Sequence, residues 1–167
     1  ISSSVTSFGT LDNTSGTVTF DGGTALPLDN YYNLTISSGG THSLPSNINI
    51  DGNLTVSSGT IALSTHTLTV SGDTDIDGTS TISSGSFDSY GTFNASSGNV
   101  TFSGAGNLKL RGTVSSLGTF TANSSTVRYM GASQSVLAES YNNLSISGSG
   151  VKTAAGNVSI AGTMTVT

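Results

Sequence analysis

Residues Asn47–Gly59 read NINIDGNLTVSSG, and residues Asp73–Gly85 read DTDIDGTSTISSG. Laid one on the other at an offset of 26, Ile50 meets Ile76, Asp51-Gly52 meets Asp77-Gly78, and Val56 meets Ile82. In each copy apolar and polar residues alternate, the pattern of a strand with one buried face. Asp-Gly and Ser-Ser-Gly are turn chemistry. Each copy is thus strand, turn, strand, turn.

More copies lie outward from this pair. Asn157 opens NVSIAGTMTV, at an offset of 110 from Asn47, and YYNLTIS at Tyr31 returns as YNNLSIS at Tyr141 at the same offset. A second unit alternates with the first: FGTLDNTSGTVTFDG from Phe8, YGTFNASSGNVTFSG from Tyr90 and LGTFTANSSTVRYMG from Leu117. Apolar pairs separated by one polar residue mark the strands throughout, among them Leu34/Ile36, Leu68/Val70, Leu108/Leu110 and Leu144/Ile146.

Two all-β architectures accept many short strands with evenly spaced turns. A β-sandwich reads Asp51-Gly52 as a two-residue hairpin. A parallel β-solenoid reads it as a corner between two faces of one coil. Repetition with matched flanks favours the solenoid, where successive coils meet the same surroundings and like residues stack. Residues 1–167 therefore read as one repeat-built domain, a parallel β-solenoid of about seven coils of roughly 20–27 residues. Residues 22–30 and 131–140 break the pattern and are expected as loops or irregular faces.

Composition bounds the function. Ser and Thr number 32 and 26, and charged residues make up 8% of the chain, against about 25% in ordinary domains. Four bases against nine acids form no basic cluster that tracks a phosphate backbone, which argues against nucleic acid. There is no Cys, so disulfides and thiolate chemistry are absent. No apolar run is long enough to insert in a membrane as a helix.

The string DTDIDG resembles the front of a calcium loop, which makes Asp73, Asp75 and Asp77 candidate metal ligands. Its slot, however, is filled elsewhere by NINIDG and NVSIAG, and the position where a calcium loop carries a bidentate Glu is Ser84. The three Asp read as outward residues of a strand, and no cofactor is expected. His42 and His66 read as solvated polar positions. One Glu, Glu139, and no other carboxylate cluster argue against an enzyme. Lys109 and Arg111 flank Leu110 as an outward base pair. Eight Asn sequons follow from the strand frame Asn-apolar-Thr. Thr35, Thr55, Thr69, Thr81, Thr101 and Thr165 each precede the second residue of an apolar pair. In register they make an outward hydroxyl-and-methyl rank of the kind ice-binding solenoids present.

The units GTFNASSGNVTFSG and YNLTISSG…NINIDGNLTVSSG resemble the degenerate repeats of large secreted bacterial surface proteins, the filamentous-haemagglutinin and autotransporter type of adhesin. The resemblance implies a right-handed solenoid displayed at the cell surface as stalk, adhesin or fibre. The expected function is an extracellular structural unit; the alternative is a binding module, for a surface glycan or for ice. Ile1–Ser7 and Gly162–Thr167 are strand-like and carry no charged cap. Either the chain is cut from a longer solenoid or neighbouring copies complete its ends, and head-to-tail association through these end strands is the expected partnership.

Overall fold

The computed structural model describes residues 14–22, 25–27 and 30–167. Every described strand pairing is parallel, and the strands stack into a β-solenoid of about eight turns. Face I stacks β1 (Thr17–Phe20), β3 (Asn33–Ile36), β6 (Leu54–Val56), β9 (Thr74–Ile76), β12 (Phe93–Asn94) and β15 (Val114–Ser116). Face II stacks β4 (Thr41–Ser43), β7 (Thr60–Ala62), β10 (Thr79–Ile82), β13 (Asn99–Phe102) and β16 (Thr119–Thr121). Face III is the longest: β2 (Asn30–Tyr31), β5 (Ile48–Ile50), β8 (Thr67–Val70), β11 (Ser86–Ser89), β14 (Asn107–Leu110), β17 (Thr126–Tyr129), β20 (Asn143–Ile146) and β23 (Met164–Val166). Two further pairs, β18 (Gln134–Val136) with β21 (Lys152–Ala154) and β19 (Ser140–Tyr141) with β22 (Ser159–Ile160), lie in the last turns. Eight strands about 4.8 Å apart give a stack roughly 35 Å long.

The chain visits face III, then I, then II, and begins again. Registers such as Leu54↔Thr74, Thr60↔Thr79 and Thr79↔Asn99 advance the numbering by 19 or 20 per turn. The step from Thr126 to Asn143 is shorter. This corrects the longer coil read from the repeats. Asn47–Gly59 passes from face III to face I, through β5 and β6, whereas Asp73–Gly85 passes from face I to face II, through β9 and β10. The offset of 26 is therefore one turn plus about a third. The offset of 110 likewise carries β3 of face I onto β20 of face III. The repeating unit is a corner with its strand, and the three faces are near-equivalent. Asp51-Gly52 is such a corner and not a hairpin.

Alternation fills the interior. Ile48, Leu68, Phe87, Leu108, Val127 and Leu144 form one buried column of face III, in register strand by strand. Ile50, Val56, Ile76, Ile82, Phe102 and Leu110 are buried as expected, while Ile146 and Ile160 are only half-buried near the last turn. Column residues trade volume: Phe87 and Phe93 pack edge to face at 5.7 Å, beside the small buried pair Thr74 and Ser89, whose hydroxyls lie 3.3 Å apart.

Corners need close approach. Gly52, Gly72, Gly91 and Gly112 stack at the corner between faces III and I, and a Cβ on Gly72 would sit 2.6 Å from the carbonyl oxygen of Gly52. Beside them runs an amide ladder. Asn33 Oδ1 accepts from the Asn53 N–H, Asn53 Oδ1 from Asp73 N–H and Asp73 Oδ1 from Thr92 N–H, at 2.8, 2.8 and 2.7 Å. These side chains supply acceptors to backbone donors that the bend leaves outside the sheet.

The two stretches expected as loops or irregular faces carry inward residues where they are described. Gln134–Val136 is a strand, and Gln134 is buried with its amide donating to Leu110 and Gly112 carbonyls and its Oε1 accepting from Gly131 N–H. In the other stretch Leu26 is buried and Ala25 bridges to Ser43. Among the described residues no helix is long and apolar enough to cross a membrane.

Candidate functional site

The Asp row is absorbed by the frame. Asp73 accepts the ladder hydrogen bond, Asp75 Oδ1 accepts from Asn94 Nδ2 at 3.0 Å on face I, and Asp77 lies at the next corner. Among the described residues no three His, Asp or Glu side chains converge as metal ligands. The sequons are also partly structural: Asn33, Asn53, Asn99 and Asn143 each use their side chains in hydrogen bonds between turns.

His42 is not a solvated position. In β4 it points inward, in register with Ile61, and is fully buried. Its Nε2 pairs with Ser38 Oγ at 2.8 Å, its Nδ1 has no partner, and its ring lies 5.9 Å from that of Phe20. Burial lowers its pKa by disfavouring the imidazolium. His66, by contrast, is half-buried.

A second buried polar group sits near the last turns. Tyr129 and Tyr141 hydroxyls lie 2.9 Å apart; Tyr141 donates to the Leu137 carbonyl at 3.0 Å, and Tyr129 accepts from Leu137 N–H at 3.2 Å. Burial raises the pKa of both phenols, so both stay protonated. The pair pins residues 137–141 across the interior and offers no exposed reactive atom.

The expected Thr rank is dispersed. Thr35 and Thr55 stand on face I, Thr81 and Thr101 on face II, Thr69 and Thr165 on face III. Sequence spacing could not sort them, because residues of one parity recur on all three faces. A different array forms on face II. One outward column runs Thr41, Thr60, Thr79, Asn99, Thr119 and the other Ser43, Ala62, Thr81, Thr101, Thr121, all in register and without a charge.

Three of the four bases gather on face III and its corner. The outward column Thr69, Asp88, Lys109, Arg128, Ser145, Thr165 is in register across six strands. Arg111 reaches back one turn to clasp Asp88 with two hydrogen bonds of 2.6 and 3.0 Å, and Lys109 lies 3.7 Å from the same carboxylate. The Arg111 guanidinium also covers the Tyr90 ring at 4.6 Å. Lys109 and Arg111 were visible as a pair; Asp88 and Arg128 were not joined to them. The turn length was the missing signal, since 88, 109 and 128 are one turn apart.

Beyond β20 the interior opens. A hollow of about 560 Å³ is lined by Val136, Leu144, Ile146, Ile160, Met164 and Val166, among others, with Met164 56% and Val166 68% exposed. Gly162–Thr167 thus presents apolar column residues and the free edge of β23. Its proposed counterpart, Ile1–Ser7, lies outside the described residues. No family model, no curated protein and no solved structure matches this chain.

Proposed function

We propose that this chain is an extracellular structural protein, a β-solenoid unit of a surface fibre, filament or adhesin stalk, whose copies stack head to tail. One observation carries the reading. The columns Leu144–Met164 and Ile146–Val166 end on β23 with apolar side chains exposed and one strand edge unpaired, a surface complementary to one more turn of the same kind. Further turns of a longer solenoid would cover it, as would a second copy, and the heterologous contact between copies is the one that propagates. The near absence of charge at Gly162–Thr167 leaves little to oppose it. Sedimentation velocity over a wide concentration range tests this. The wild-type chain should form a growing series of oligomers. Thr165→Lys with Thr167→Lys should stay a folded monomer. Concentration-independent monomer in the wild type would overturn the self-association.

A second reading rests on face II. Its uncharged, Thr-rich columns repeat about every 4.8 Å along the stack and about 6.6 Å across it, a regular array of hydroxyls and methyls. Ice is the ligand this reading assigns to the array. Thermal hysteresis abolished by Thr81→Tyr would support it; none in the wild type would remove it.

A further inference from the structure

We propose that face III, from Lys109 to Thr165, binds a carboxylate-bearing polysaccharide, with Arg128 as its anchor. The inference goes beyond the stalk reading and does not depend on stacking of copies.

The chain carries a net charge of −5 and only four bases, yet three of those four, Lys109, Arg111 and Arg128, lie on or beside this face. The single acid among them, Asp88, is already clasped by Arg111 from both oxygens. Lys109 shares that carboxylate at 3.7 Å, so Asp88 is outnumbered by two cations and Arg128 lies beside them on the adjacent strand. Arg128 donates from Nε to Asn107 Oδ1 at 3.3 Å, and among the described residues it has no carboxylate within ion-pair distance. Among the described residues its two terminal nitrogens carry no hydrogen bond, and such a guanidinium fork grips a carboxylate through two parallel hydrogen bonds.

The fork borders a hollow of about 360 Å³, lined also by Thr126, Asn143, Ser145, Thr163 and Thr165. The volume is in the ~300–1,000 Å³ range of ligand sites. The lining offers hydroxyls and a cation and no acid. A sugar ring brings the complementary set, many hydroxyls and one carboxylate. Asn143 is already committed, donating to Ser125 and accepting from Thr163, so it holds the floor in place. Cations one strand apart, about 4.8 Å, suit a polymer whose acidic residues pass along the column from Arg128 to Lys109.

Other partners fit less well. A neutral glycan wants an aromatic platform, but the exposed rings Tyr32 and Tyr90 stand turns apart at a corner, and Arg111 covers the second. Nucleic acid wants more cations and stacking rings than this face carries.

The test is affinity electrophoresis through gels containing polygalacturonate, repeated with neutral dextran and with single-stranded DNA as competitor. The wild-type chain should be retarded by polygalacturonate and not by dextran, with DNA competing poorly. Arg128→Gln should weaken binding about tenfold or more, the worth of a charge-assisted hydrogen-bonded contact. Lys152→Gln makes the same change in net charge on β21, where the ammonium bonds Gly131 and Ser149 carbonyls, and should bind as the wild type does. Circular dichroism confirms that both variants fold. No retardation of the wild type, equal loss in the two variants, or equal preference for DNA would each overturn the proposal. A chain that stacks but does not bind, or binds but does not stack, separates this inference from the stalk reading.

Discussion

Replacing Ile76 and Asp75 by Ala, one at a time, separates the inside of the solenoid from its outside at neighbouring positions of one strand. Ile76 is fully buried on β9, in register with Val56 of the preceding turn. Ile76→Ala deletes three carbons at about 0.8 kcal/mol each. The unfilled space raises the loss to roughly 3–4 kcal/mol, within the usual 2–5 for such truncations. Asp75→Ala removes one partly exposed hydrogen bond, from Asn94 Nδ2 at 3.0 Å, worth about 0.5–1.5 kcal/mol. For a chain of this size, each kcal/mol moves the melting temperature about 2–4 °C. The expected drops are then roughly 6–16 °C and 1–6 °C. A stack of turns is close to one-dimensional, so damage stays local. Hydrogen exchange should show protection lost first on β6, β9 and β12, with distant turns less affected. Calorimetry and exchange on both variants decide the matter. Equal losses would refute the inward assignment of Ile76 and with it the whole column register.

His42 gives a pH signature. Burial holds its pKa below the unfolded value near 6.5, so its stability contribution is present above that pH and lost as pH falls through the folded pKa. Urea titrations should show stability declining on acidification, and His42→Leu should flatten that slope. The tyrosine pair acts at the other end: with both folded pKa values raised, stability should fall as pH climbs above about 10, and Tyr141→Phe should cost about 1–3 kcal/mol in a urea melt at neutral pH. Calcium should leave the melting temperature unchanged, because Asp73 and Asp75 already accept hydrogen bonds from the frame. A site filled at a hundredfold excess over its dissociation constant would instead add about 2.7 kcal/mol and be lost in Asp75→Asn.

Much of this was legible in the sequence, for physical reasons. Period-two alternation and turn residues reported strands and corners directly, because each strand buries one side. The turn length was not legible, because three faces share one corner-and-strand unit and the best self-match skips a third of a turn. His42 shares its parity with the buried Leu44, so the alternation did mark it as inward; its polarity concealed that. Gln134–Val136 hid in the same way, since a strand whose inward residue is a satisfied amide reads as a loop. The face III cluster required the turn length before Asp88, Lys109 and Arg128 could fall into one column.

Electron microscopy of the concentrated wild-type protein tests the central claim most directly. Stacking through β23 predicts unbranched filaments one solenoid wide, with axial layers about 4.8 Å apart running unbroken from copy to copy. Discrete particles about 35 Å long at every concentration, or closed dimers joined side by side, would contradict it.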